Sequence, residues 1–210
     1  MKLTKFEHSC FMLENESQTL IFDPGNWSTD LVIPTNVAAI MLTHEHADHF
    51  DKDLLRSIVD KNQGAIIVAP HEMAEKLTGF SIQGVAPGDT VAAGPFTLQL
   101  FGGEHALIHP EITSVVNVGV LVNDTFYYPG DSFALPGIPI KTLALPVTAP
   151  WLKISEPIDF MIEVHPDLAF PVHDHIASSD GKALVDRVIS SFADNHDIRY
   201  QRITGSVDIA

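Results

Sequence analysis

The chain has 210 residues, 45% apolar and 19% charged, long enough to bury a sizeable core and ordinary for a folded globular protein. Its 27 Asp and Glu against 12 Lys and Arg leave a formal charge of −15, which argues against a nucleic-acid backbone or an anionic membrane as partner. Cys10 stands alone, so no intrachain disulfide can form. Residues 1–5 lack the apolar core of a signal peptide and no stretch approaches a membrane span, so a cytoplasmic location is expected. One domain over residues 1–210 is expected, because no repeat, low-complexity tract or linker divides the chain.

The first third reads as a β-meander. Leu3–His8, Cys10–Glu14 and Thr19–Asp23 are short apolar runs, the last two separated by the polar turn Asn15–Gln18. Asp23-Pro24-Gly25 stops the third run. Val37–Leu42 is apolar throughout, as a strand buried on both faces requires. Asp51 is placed to cap a helix running through Asn62, with Leu54, Leu55, Ile58 and Val59 on one face. Ala65–Ala69 reads as a strand and Glu72–Leu77 as a short helix, an order that predicts parallel strands with helices on the sheet. A second meander follows in Phe96–Phe101, Thr113–Val122 and Thr125–Tyr128, with a tight turn at Asn123-Asp124. Lys141–Leu145 is a further strand, and Ser155–Val164 is predicted helical with Pro157 in its first turn. Leu168–Pro171 is strand-like, Ser178 or Ser179 caps a helix to about Asn195, and Ile198–Gln201 reads as the closing strand. The order predicts an α/β fold of two sheets packed face to face with helices outside.

The chemistry concentrates in His44-Glu45-His46-Ala47-Asp48-His49, just after Val37–Leu42. A strand that ends in a tight loop points several side chains at one spot, and imidazole and carboxylate are ligands for borderline divalent metals. Buried together without a partner these groups are costly to desolvate; around a cation they are satisfied. Three His and one Asp exceed what one open tetrahedral zinc uses, which invites a second metal and ligands from other strand ends. Three residues hold such positions: His105 after Phe96–Phe101 and Gly102-Gly103, Asp131 after Thr125–Tyr128 and Pro129-Gly130, and His173 after Leu168–Pro171.

The series His44-x-His46-x-Asp48-His49, His105, Gly130-Asp131 and Pro171-x-His173 resembles the metallo-β-lactamase-fold hydrolase superfamily over nearly the whole chain. His8-Ser9 and Ile21-Phe22-Asp23-Pro24 resemble, more narrowly, the subgroup of the ascorbate-6-phosphate lactonase and uncharacterised metal-dependent hydrolases. The resemblance implies a four-layer αββα sandwich with its site at the sandwich edge. It implies His44, His46 and His105 on one metal, Asp48, His49 and His173 on the other, and Asp131 bridging both. Asp48 and Asp131 become the catalytic carboxylates, and Asp23 would orient a loop histidine. Two metals sharing a water lower its pKa and give a hydroxide nucleophile at ordinary pH. The flavo-diiron relatives carry a carboxylate at the third position of the hexapeptide. His46 there favours two Zn2+, with Mn2+ or Fe2+ as alternatives decided by metal supply.

Other residues compete for these roles. His8 is balanced between substrate contact and core histidine. His109 is an alternative ligand or a proton shuttle beside His105. His175 would share the face of His173 in an extended segment, as a replacement ligand or a support for one. Glu104 is a candidate general acid, although a solvent-exposed carboxylate is the expected outcome. Core packing is expected for Tyr127 and Tyr128, hydrophobic cover for Trp27 and Trp151, and surface or structural positions for His71, His165 and His196. The expected activity is metal-dependent hydrolysis of a small-molecule ester, lactone or phosphoester, with the metals drawing an anionic substrate. The alternatives are a phosphodiesterase or nuclease of the same fold, which the acidity disfavours, and a metal-binding sensor module without turnover. A homo-oligomer is compatible with the composition.

Overall fold

Short apolar runs and the turns between them settle into two seven-stranded sheets in the computed structural model, which describes residues 1–209. The first sheet holds β1 (Lys2–Lys5), β2 (Phe11–Asn15), β3 (Gln18–Phe22), β4 (Val37–Met41), β5 (Ile66–Pro70) and β6 (Ile82–Val85) in that spatial order. β1 to β3 pair antiparallel, and from β3 onward the pairing is parallel. The helices α1 (Lys52–Lys61) and α2 (His71–Lys76) make the last two crossovers. The second sheet repeats the scheme. β7 (Thr90–Ala93), β8 (Phe96–Gly102), β9 (Val118–Val122) and β10 (Phe126–Tyr128) are antiparallel. β11 (Thr142–Pro146), β12 (Leu168–Val172) and β13 (Arg199–Tyr200) continue in parallel through α3 (Ser155–Val164) and α4 (Ser179–Asn195).

Burial explains the layering. Inward-facing Phe11, Leu13, Phe22, Leu98, Val120, Phe126 and Phe170 form the core between the sheets. The outer face of the first sheet buries Ile40 and Leu42 against Leu55, Ile58 and Met73 of its helices. The second covers Leu143 and Leu145 with Phe160, Met161, Ile189 and Ala193. The result is the four-layer αββα arrangement. α1 begins where predicted, with Asp51 accepting the Leu54 N–H at 2.7 Å, and Ser178 caps α4 by accepting the Gly181 N–H at 3.1 Å. None of the described helices is long and apolar enough to cross a membrane.

Several expected boundaries are corrected. The predicted strand Thr113–Val122 begins only at Val118. Upstream, the carbonyls of Asn117 and Val115 accept the N–H groups of Gly103 and His105, at 2.9 and 3.1 Å, so residues 103–117 fold back as a loop over the end of the sandwich. Leu3–His8 stops at Lys5, because a bond from Phe6 N–H to the Cys10 carbonyl closes a turn in which His8 takes φ +54°. Ile198–Gln201 shrinks to β13, and the last strand is instead β14 (Gly205–Asp208), antiparallel to β1. β6, β7 and β14 are four residues each, too short to be recognised alone; their partners impose them.

Candidate metal centre

Loops at one end of the sandwich bring residues from both sheets to a common point. The first sheet contributes His8 beyond β1, Asp23 beyond β3 and His44–His49 beyond β4. The second contributes His105 beyond β8, Asp131 beyond β10, Trp151 beyond β11 and His173 beyond β12. Two groups form, within each of which the candidate donor atoms lie less than 4.8 Å apart: His44, His46, His105 and Asp131, and His8, Asp48, His49 and His173. The whole predicted ligand set is thus gathered, with His8 added. Asp131 sits between the groups. Its Oδ2 lies 3.0 Å from His173 Nε2, 3.3 Å from His105 Nε2 and 3.9 Å from His44 Nε2, and its Oδ1 lies 3.2 Å from His49 Nε2.

Hydrogen bonding gives these rings one polarity. His49 Nδ1–H donates to Asp23 Oδ2 at 2.8 Å, His105 Nδ1–H to the Ala106 carbonyl at 2.6 Å and His173 Nδ1–H to the Thr148 carbonyl at 2.7 Å. The Thr43 hydroxyl already donates to Asp23 Oδ2, so at 3.0 Å it accepts from His44 Nδ1–H. In the neutral state all four rings therefore aim Nε2 lone pairs at the Asp131 region, which is how supporting hydrogen bonds prepare imidazoles for a metal. His49 Nε2, His105 Nε2 and Asp131 Oδ1 are buried with no hydrogen-bond partner, an expensive arrangement that a divalent cation would satisfy. The donor set fits such an ion.

His8 has the opposite polarity. Its Nδ1 accepts the His175 backbone N–H at 3.4 Å, so the neutral ring carries its proton on Nε2 and donates to Asp48 Oδ2 at 3.0 Å. It steadies a carboxylate rather than offering a lone pair.

Electrostatics agree with a cationic point. Burial disfavours imidazolium at His44 and His8, holding His44 well below the ordinary histidine value and His8 down at about 4. Burial acts on His173 as well, but Asp131 and Asp48 overcome it and push His173 up to about 10. His49 also rises against burial, through Asp131 and Asp23. Burial would lift the Asp131 and Asp48 carboxyls; the imidazoles around them hold both well below the usual carboxylate range. Protons and a cation would compete for these atoms, so cation binding there would release protons.

The scaffold behind the site is buried and polar. Asp23 accepts from Thr43 N–H, Thr43 Oγ1–H, His49 Nδ1–H and Tyr128 O–H, all between 2.7 and 2.8 Å. Asn117 accepts the Asp131 N–H at 2.9 Å and donates to the Pro129 carbonyl at 2.9 Å. Gly25 is required by close approach, since a Cβ there would lie 1.9 Å from the Asp48 carbonyl oxygen. Nothing local in the sequence distinguishes Thr43 and Asn117 from any other strand-end Thr or Asn.

The remaining candidates fall elsewhere. His109 is exposed, and its Nδ1 accepts the Glu111 N–H. His173 takes φ +61°, so the segment is not extended. His175 turns away, stacks on Trp27 at 5.2 Å and lies 3.6 Å from Glu7. Tyr127 donates to the Ala134 carbonyl and Tyr128 to Asp23, so both are core residues with a polar tether. Trp151 does more than cover: its indole N–H donates to Asp131 Oδ2 at 3.1 Å. Glu104, His71, His165 and His196 are exposed.

Beyond His173, the buried Asp174 pairs with Arg202 and lies 3.6 Å from Lys182, anchoring the turn. Burial raises its carboxyl, but the Arg202 hydrogen bond and charge prevail and hold it below the ordinary value. A depressed native value stabilises the fold above the unfolded value of about 3.9 and loses that contribution as pH falls through the native one. Arg202→Met is therefore expected to destabilise the protein at pH 7 and progressively less below about pH 5. Urea midpoints of both proteins at pH 7 and pH 3 check this; a constant gap would contradict it.

Residues 2–173 match the family model described as a beta-lactamase superfamily domain. Protein Rv0786c of Mycobacterium tuberculosis is 37% identical over 189 residues, 88% of this chain and 89% of that protein. In Methanocaldococcus jannaschii, the UPF0173 metal-dependent hydrolase MJ1163 is 26% identical over 187 residues, 81% of this chain and 83% of the relative. The solved structure of Igni18, a novel metallo hydrolase from the hyperthermophilic archaeon Ignicoccus hospitalis, shares the fold with a TM-score of 0.75 at 19% identity, over 100% of this chain and 99% of that one. By the extent of the family match and by its similarity to the mycobacterial protein, the chain belongs to the beta-lactamase superfamily domain family.

Proposed function

We propose that the protein is a metal-dependent hydrolase whose two His/Asp clusters hold two divalent cations and act on a small-molecule ester, lactone or phosphoester. The observation that carries this is the common polarity of His44, His49, His105 and His173, each with Nδ1–H donated to an oxygen and Nε2 turned toward Asp131. A relative named as a metal-dependent hydrolase supports it. His44, His46 and His105 would hold one cation, Asp48, His49 and His173 the other, and Asp131 both. The nitrogen and oxygen donors suit Zn2+, with Mn2+ or Fe2+ as alternatives. When bound, such a pair lowers the pKa of a shared water toward neutrality and polarises the substrate oxygen. The chain itself fixes the two carboxylates. His8 Nε2–H holds Asp48, Trp151 Nε1–H holds Asp131, and the Asp48 side chain, 21% exposed against 3% for Asp131, is the one that meets solvent and substrate.

Purified protein is expected to carry about two equivalents of divalent metal. Chelation should abolish ester and lactone turnover, and added Zn2+, Mn2+ or Fe2+ should restore it. Elemental analysis alongside activity checks this. Protein that stays metal-free after reconstitution would overturn the assignment.

A further inference from the structure

A groove of about 1080 Å3 opens beside the candidate centre, starting at His105 and Ser132. Its walls are Leu107, Val115, Val116, Phe133 and Ala134; Glu104 is its one carboxylate, and none of the chain's 12 Lys and Arg residues lines it. A narrower slot at His46 and His105 runs between Leu107, Ile108 and Ile112. Those three side chains are 64%, 37% and 51% exposed, which concentrates exposed apolar side chains on one loop beside the groove. On the adjoining surface Lys76 is held by both carboxylate oxygens of Glu45, at 2.8 and 2.6 Å. An anionic group lying along this groove would lose water, meet Glu104 and find no fixed cation. An alkyl chain would gain about three- to fourfold in affinity for each methylene it buries.

We infer that the groove takes an uncharged, apolar acyl group of the substrate, placed so that its carbonyl reaches the centre at His105. The bond that breaks rests on the hydrolase reading: water adds to the acyl carbon, the C–O bond opens, and the products are a carboxylic acid and an alcohol. The phosphate of an ascorbate-6-phosphate-like substrate has no counter-charge along this wall.

The test titrates 1-alkanols, from propanol to octanol, into the metal-loaded full chain by calorimetry. Affinity is expected to rise about threefold per methylene, with a negative heat-capacity change. Leu107→Asp, at a position exposed enough to tolerate the change, should flatten the series while metal content stays the same. In parallel, kcat/KM for p-nitrophenyl hexanoate should exceed that for the p-nitrophenyl monoester of adipic acid, which carries a carboxylate at the far end, by at least about tenfold. A flat alkanol series, or equal cleavage of the two esters, would overturn the inference and leave the hydrolase reading in place. A rising alkanol series with no ester, lactone or phosphoester cleaved would support the groove and overturn the hydrolase reading instead.

Discussion

Asp131→Ala is expected to lower kcat/KM for any ester substrate by at least about a thousandfold and to cost the protein tightly held metal, without unfolding it. Four imidazole Nε2 atoms lie between 3.0 and 3.9 Å from this carboxylate, two from each cluster, so its loss removes the group that both clusters face. The backbone around it depends on Asn117, which binds the residue-131 N–H and the Pro129 carbonyl, and alanine preserves both contacts. Fold and site therefore respond separately. In metal-free protein the same change should let His173 fall from about 10, because Asp131 does most to raise it against burial. Steady-state kinetics, elemental analysis, near-ultraviolet circular dichroism and an NMR titration of the histidines check these outcomes together. Retention of both metal equivalents and most of the activity would show that Asp131 does not touch the reacting centre.

Asp23→Ala should strike stability hardest. Four buried donors converge on this carboxylate, and its removal strands the Thr43 N–H, the Tyr128 hydroxyl and the His49 ring. Breaking a buried pair of this kind costs about 3–5 kcal/mol. His49 also loses the acceptor that fixes its tautomer, so metal affinity is expected to drop roughly 10- to 100-fold. Asp23→Asn keeps the volume but turns an amide against a donor, and should fall between wild type and alanine. Urea unfolding and competition with a chromogenic chelator measure the two effects. Wild-type stability in the alanine variant would mean that packing alone holds His49.

What the sequence makes legible here follows from how local each signal is. The hexapeptide carries its chemistry in six adjacent residues, and His105, Asp131 and His173 each follow a recognisable strand, so the gathering of the site can be anticipated from placement alone. The family match and the four-layer sandwich agree with that expectation. The supporting shell is not legible in the same way. Thr43 and Asn117 matter only through the atoms they meet across the fold, and the donor role of Trp151 depends on a loop path no periodicity encodes. His175 is misplaced because a single left-handed residue, His173, reverses the direction of the chain. The Thr113–Val122 run fails for a related reason: its first half has strand composition but finds its hydrogen bonds in the loop that walls the groove.

The two clusters each mix ligand candidates from both sheets: His44 and His46 with His105 and Asp131, and Asp48 and His49 with His173. A pair of cations seated there would act as a cross-link between the halves of the sandwich, in a chain whose one cysteine excludes a disulfide. Like a disulfide, such a clamp joins segments far apart along the chain; unlike one, its strength is set by free metal concentration, adding about 2.7 kcal/mol for each site filled at a hundred times its dissociation constant. The end proposed to be catalytic would thereby also be the seam that closes the molecule, and thermal tolerance would follow metal supply.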